Sequence, residues 1–230
     1  MKVLAIGDIH GRDVWKKIDF EYYDEVIFVG DYLDSRENLS DKVILKNLAG
    51  LILLQEKYQH IHFLIGNHDL QYTDVEFFNS VTEYRESYAK RAQKLLKKLK
   101  WKFAVQFDDV LYTHAGLHRK FYDLISEPNS RIADSINSFG FENQEIFLFT
   151  IGSKRGGSAE AGSPIWCDYG ELLEEENPLP INQVFGHTAT KGGRIAFKGQ
   201  FYRQCIDILT KYPMVYEIID GGIPIPMLIM

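Results

Sequence analysis

The sequence predicts an α/β fold, and three observations carry that expectation. Several short apolar runs have the length and the β-branched or aromatic content of buried strands. Longer stretches with apolar residues at helical spacing lie between them. Five of the short runs end in a glycine beside an Asp, Asn or His, as expected where loops converge at the carboxyl ends of strands.

Val3–Ile6 leads into Gly7-Asp8-Ile9-His10-Gly11, and Val26–Val29 into Gly30-Asp31-Tyr32-Leu33-Asp34. A helix is expected over Leu39–Lys57, with Val43, Leu45, Leu48, Ile52 and Leu53 on its apolar stripe. Ile61–Ile65 runs into Gly66-Asn67-His68-Asp69. Glu83–Lys100 sets Tyr84, Tyr88, Ala92, Leu95 and Leu99 at near-helical spacing, and its lysines and arginines read as a solvated helix face. Lys102–Phe107 should pair with Val110–Thr113 through a turn at Asp108-Asp109, and the second of these leads into His114-Ala115-Gly116. Phe121–Phe149 reads as helical, so segments near 71–100 and 121–150 are expected to cap the site. Gly152–Ser163 reads as a mobile loop rich in glycine and serine. Gln183–Phe185 leads into Gly186-His187-Thr188, and runs at Gln200–Ile208 and Met214–Ile219 make the last third β-rich.

At 230 residues the chain suits a single domain over 1–230, large enough for a full core without disulfides. A formal net charge of −6 argues against general nucleic-acid binding and against a membrane surface, both of which need a basic footprint. The start of the chain is too short in apolar residues for a signal peptide, and no run approaches a membrane span. A cytoplasmic location is therefore expected. The two cysteines form no metal knuckle, and Leu173 stands where a Cys-x5-Arg nucleophile would need arginine after Cys167. Neither Gly-x-Gly-x-x-Gly nor a Walker-type Gly-Lys-Ser/Thr is present.

Asp8 and His10, two apart, project to the same side of extended chain. Taken together, the five glycine-flanked blocks resemble the signature of the calcineurin-like metallophosphoesterases. That signature reads Gly-Asp-x-His, Gly-Asp-x-x-(Asp), Gly-Asn-His-(Asp/Glu), then two later His motifs, and the blocks cover roughly residues 3–188 in order. Gly7–Gly11 and Thr113–Leu117 are most similar to the phosphoprotein phosphatase branch, which includes Ser/Thr phosphatases and diadenosine tetraphosphate hydrolases. Pro164-Ile165-Trp166-Cys167-Asp168 is similar to a Trp-containing stretch of those phosphatases.

The resemblance implies an αββα sandwich, two stacked mixed sheets flanked by helices. It implies two divalent ions, one on Asp8, His10 and Asp31 and one on Asp31, Asn67, His114 and His187, with Asp31 bridging. Oxygen and nitrogen donors without thiolate suit Mn²⁺, Fe or Zn²⁺ and do not choose among them; Mn²⁺ is the ion expected first, with Fe, Zn²⁺ or Ni²⁺ as alternatives. Two divalent cations against two carboxylates leave a positive site that attracts phosphate and acidifies water. His68 matches the family's proton donor and Asp34 its partner. The family's phosphate-binding arginine directly follows the residue matching Asp34, whereas here the order is Asp34-Ser35-Arg36, one residue later. Arg36 and Arg155 are the candidates to hold phosphate. Absence of a second His after His187 tilts toward phosphomonoesters. The implied partner is a phosphorylated substrate: a phosphoprotein, a nucleotide or a small phosphoester. A nucleotide pyrophosphohydrolase or phosphodiesterase is the alternative enzyme, and a catalytically silent scaffold the alternative of another class.

Overall fold

Strands buried on both faces must be apolar throughout, and alternation then decides which side chain serves which layer. In chain order the strands are β1 (Lys2–Ile6), β2 (Glu25–Phe28), β3 (Ile61–Leu64), β4 (Trp101–Lys102), β5 (Ala104–Phe107) and β6 (Val110–Thr113). They continue with β7 (Asn182–Phe185), β8 (Arg194–Lys198), β9 (Phe201–Cys205), β10 (Met214–Ile219) and β11 (Ile225–Leu228). The computed structural model describes residues 1–35, 37–190, 192–208 and 214–229. One sheet has the order β11-β10-β1-β2-β3-β4 and the other β5-β6-β7-β9-β8, both mixed.

β1 sends Leu4 and Ile6 outward, into a core shared with helices, and Val3 and Ala5 inward. The inward residues meet Val105, Val110, Tyr112, Val184 and Tyr202 of the second sheet, so the two sheets stack on an apolar seam. Helices α1 (Asp41–Lys57), α2 (Asn67–Leu70) and α3 (Ala89–Leu96) lie among the first-sheet elements in sequence, and α1 and α3 cover that sheet's outer face. Helices α4 (Arg119–Ile125), α5 (Ile132–Glu142) and α6 (Gln144–Phe149) cover the second sheet through Phe121, Ile136 and Phe147, and α7 (Tyr169–Glu174) follows. The architecture is the αββα sandwich. Among the described residues, no helix is long and apolar enough to cross a membrane.

Several local expectations are corrected. In α1 the buried face is Ile44, Leu45, Leu48, Leu51 and Ile52, whereas Val43 and Leu53 are exposed. The helix begins two residues later than expected, and two apolar positions of the expected stripe face solvent. Over Glu83–Lys100 only Ala89–Leu96 is α-helical, preceded by a 3-10 turn at Glu86–Tyr88. The run Lys102–Phe107 divides between sheets: Trp101–Lys102 pairs with β3, and Ala104–Phe107 forms the expected hairpin with β6. Asp108 takes the left-handed conformation (φ 47°) that this turn requires. Residues 121–149 break into α4, α5 and α6, which form the outer layer of the second sheet instead of a cap, because that sheet consumes their apolar faces. From the 71–100 segment, Ser80, Val81 and Thr82 do line the site cavity. The 152–163 loop is tied down: Ala159 N–H donates to Ile151, Gly157 N–H to Gly152, and Gly162 N–H to Glu171 Oε2.

Candidate metal centre

The carboxyl ends of five strands converge on one cavity of about 680 Å³. Asp8 and His10 follow β1, Asp31 and Asp34 follow β2, and Asn67 and His68 open α2 after β3. His114 follows β6, and His187 follows β7. Asp8, Asp31, Asn67, His68 and His114 are all buried.

Two donor sets result. Asp8, His10 and Asp31 bring ligand atoms within 4.8 Å of one another; Asp31, His114 and His187 do the same, so both sets share Asp31. Its Oδ2 lies 3.6 Å from His10 Nε2 and its Oδ1 3.5 Å from His114 Nε2, one oxygen toward each set. Asn67 Oδ1 joins the second set, 3.0 Å from His114 Nε2.

Backbone carbonyls fix the imidazole tautomers. His114 Nδ1–H donates to Val29 at 2.9 Å, and His10 Nδ1–H to Leu33 at 3.0 Å and to Asp34. Each Nε2 therefore presents a lone pair, the arrangement of a metal-binding histidine. That of His114 faces Asn67 Oδ1 and, at 3.2 Å, His187 Nδ1. A cation between them would suit acceptors crowded this closely. His187 Nε2 is buried with no hydrogen-bond partner among the described residues.

Electrostatics point the same way. Burial, then the neighbouring Asp207 and Asp31, push the Asp8 carboxyl well above its ordinary range; burial and Asp69 do so for Asp31. Burial holds His10 and His114 down at about 3, and His187 well below its usual value. The imidazoles are thus free bases at neutral pH, and a divalent ion would restore ionised carboxylates. The donor set fits two such ions of the kind that favour oxygen and nitrogen.

The motif glycines are where the carboxylates press on the backbone. A Cβ on Gly186 would lie 1.9 Å from Asp8 Oδ1, and one on Gly66 2.0 Å from Asp31 Oδ1. His10, Asp31, Asp34 and His187 hold φ values of 45°, 51°, 48° and 64°. Left-handed conformations of this kind cost roughly 1–3 kcal/mol each in non-glycine residues and collect at functional sites.

Beside the donor sets, His68 Nδ1 lies 3.1 Å from Asp34 Oδ2, and His68 lines the cavity. His68 N–H donates to Asp31 Oδ1, coupling the pair to the shared carboxylate. Asp69 completes the scaffold by accepting the N–H groups of Tyr32, Leu33 and Gly66.

Arg155 reaches the cavity wall, its Nε 2.8 Å from Asp168 Oδ2 and its Nη2 donating to Thr188 Oγ1 at 2.7 Å. Arg36 lies outside the described residues. Trp166 also lines the cavity, edge-on to His187 with ring centroids 5.5 Å apart. Arg12 and Asp207 are charged cavity residues that escaped the sequence reading. Arg12, next to Gly11, donates to the Asp8 carbonyl at 2.7 Å and pairs with Glu37 at 3.2 Å; its position in the first motif loop was the available signal. Asp207 follows β9 as the other ligand-type residues follow their strands, but no glycine flanks it.

The remaining histidines serve locally. His60 Nε2 lies 3.1 Å from the Phe20 carbonyl, and His62 Nε2 2.7 Å from Glu25. His118 is buried and caps α4 by accepting the Lys120 N–H. Cys167 and Cys205 are buried free thiols.

Comparison with known proteins agrees with this geometry. Residues 1–213 match the family described as calcineurin-like phosphoesterase. A cold-active protein-tyrosine phosphatase of a psychrophilic Shewanella species superposes with a TM-score of 0.65 at 16% identity, over 99% of this chain and 78% of that one. A protein serine/threonine phosphatase from Saccharomyces cerevisiae gives 0.52 at 16% identity, over 96% and 73%. At that identity the likeness is one of fold. No curated protein matches the chain. With most of its length matched and the signature blocks gathered at one cavity, the chain belongs to the calcineurin-like phosphoesterase family.

Proposed function

We propose that this phosphoesterase hydrolyses phosphomonoesters, phosphoproteins foremost, as a cytoplasmic single-domain enzyme using two divalent ions, Mn²⁺ first among them. One observation carries the reading: two donor sets share the Asp31 carboxylate beside a paired His68 and Asp34. Ions bound there would supply Lewis acidity toward phosphoryl oxygens and toward water.

Asp8, His10 and Asp31 hold one ion, and Asp31, Asn67, His114 and His187 hold the other. His68 donates a proton to the departing alkoxide, while Asp34 keeps the proton on Nδ1 and the ring in place. Arg155, anchored by Asp168 and Thr188, offers its guanidinium to phosphoryl oxygens.

A second reading, cleavage of a pyrophosphate link in a nucleotide such as diadenosine tetraphosphate, is favoured by Arg12. It brings a second cation to the same cavity, with room for another phosphate. A Mn²⁺-supplemented screen over phosphopeptides, nucleoside mono- and diesters and diadenosine tetraphosphate separates the two. Preference for the dinucleotide would replace the first reading, and silence on every substrate would favour a scaffold. Chelated protein should lose turnover and regain it with Mn²⁺. Full turnover in protein shown metal-free by elemental analysis would sink the mechanism.

A further inference from the structure

We infer that Tyr72 and Tyr88 are positioning residues for the proton-donating histidine, acting through Asp34; this rests on His68 being the acid of the proposed reaction. Asp34 is fully buried, and its two oxygens are shared among four side chains. Oδ2 accepts from Gln71 Nε2 at 2.8 Å and faces His68 Nδ1. Oδ1 accepts the hydroxyl of Tyr72 at 2.7 Å and that of Tyr88.

Both phenols are themselves fixed. Tyr72 Oη accepts the Arg85 N–H at 2.8 Å, and Tyr88 Oη accepts the N–H of Asp34 itself at 3.0 Å. The Arg85 guanidinium fastens this segment to the Ser35 and Leu39 carbonyls, 2.8 and 2.9 Å away, and to Asp41. Tyr72 also stacks on Tyr84, with ring planes 14° apart.

A carboxylate turns readily about its last torsion, which is broad and two-fold. Contacts on Oδ2 alone would leave that turn open. Two hydroxyls on Oδ1 close it, so Oδ2 stays in line with His68 Nδ1 and the ring keeps one orientation. Burial first, and then the Asp34 charge, push both phenols far above their usual range, so they remain donors. Among the described residues neither tyrosine lines the cavity, so neither touches substrate. Phenylalanine would fill the same space; the hydroxyls serve Asp34.

The test uses Tyr72→Phe, Tyr88→Phe and the double variant, Mn²⁺-loaded, with His68→Asn alongside. Each is assayed on p-nitrophenyl phosphate, whose leaving group needs little protonation, and on an alkyl phosphomonoester. The double variant should lose about 10-fold in kcat on the alkyl ester with KM unchanged, part of the roughly 10²–10⁴-fold that a general acid contributes. Its loss on the aryl ester should be within about 2-fold. Should the double variant melt early, the single variants, each keeping one hydroxyl on Oδ1, carry the comparison. Equal losses on both esters in the tyrosine variants would overturn the inference alone, as would no loss while His68→Asn is selective. Equal losses in His68→Asn would overturn the acid assignment and the inference with it.

Discussion

Replacing Gly186 by alanine adds one methyl group against the Asp8 carboxylate. Gly186 has no left-handed φ, so its backbone accepts alanine and the collision is the whole effect. The new Cβ would sit 1.9 Å from Asp8 Oδ1 and 2.9 Å from Val29 Cγ2. An ordinary carbon–oxygen contact is about 3.3 Å, so the oxygen must retreat by about 1.4 Å. It has little freedom to do so, because Asp8 is buried and both its oxygens accept the His187 N–H, at 3.1 and 3.0 Å. Metal–ligand distances tolerate about 0.2 Å, and a misplacement of about 1 Å can cost about 10²-fold in rate. The expected result is a fall of about 10²-fold in kcat/KM, with weakened occupancy of the Asp8–His10–Asp31 set while the Asp31–His114–His187 set still fills. Elemental analysis after dialysis against graded Mn²⁺, paired with steady-state kinetics, reads both quantities. A variant with two tightly held ions and unchanged turnover would refute the placement of Asp8 against Gly186 as a ligand-positioning contact.

Asp31→Asn should cost more activity than the loss of any single terminal ligand, since both sets share that carboxylate; two tight ions with near-native turnover would show otherwise. In chelator the same variant should melt higher than the parent. The Asp31 pKa is raised in the fold, so its contribution to stability is full below the unfolded value near 3.8 and lost as pH rises through the folded value. The melting advantage should therefore grow from acid toward neutral pH, and a pH-independent difference would count against the desolvation argument. Arg155→Ala should lower kcat/KM by about 1.5–3 kcal/mol, the scale of a charge-assisted hydrogen bond, mainly through KM. Asp168→Asn, which only loosens the anchor, should do less, and reversal of that order would move phosphate binding away from Arg155.

The blocks that carry the candidate ligands were legible because a strand that ends in glycine beside Asp, Asn or His is a local pattern. The αββα layering came from resemblance, and alternation in β1 explains it only once Val3 and Ala5 are seen meeting a second sheet. The phase of α1 was misread because Val43 and Leu53 are apolar yet exposed, and composition cannot distinguish them from Ile44 and Leu51. Tyr72, Tyr88 and Gln71 were invisible as site support, because Asp34 lies 37 to 54 residues away from them and only the folded chain joins them. The left-handed backbone at His10, Asp31, Asp34 and His187 was equally hidden. It runs against local preference, and the surrounding hydrogen bonds impose it.

The division of the candidate ligands between layers gives the stacking of the sheets a chemical consequence. Asp8, His10, Asp31 and Asn67 belong to the first sheet, whereas His114 and His187 belong to the second. One donor set is therefore contained in a single sheet, while the other is complete only when the sheets are stacked. Hydrogen bonds cross the boundary at the candidate ligands themselves, from His114 to the Val29 carbonyl and from His187 N–H to Asp8. Without cations, the buried carboxylates oppose that stacking, and the apolar seam of Val3, Ala5, Val110 and Val184 must outweigh them. With cations bound, the same carboxylates would favour it, because an ion that binds only the stacked state shifts the equilibrium toward it. The seam thus holds an unfavourable cluster in place, and metal binding would turn that cluster into a clamp between the two halves of the sandwich.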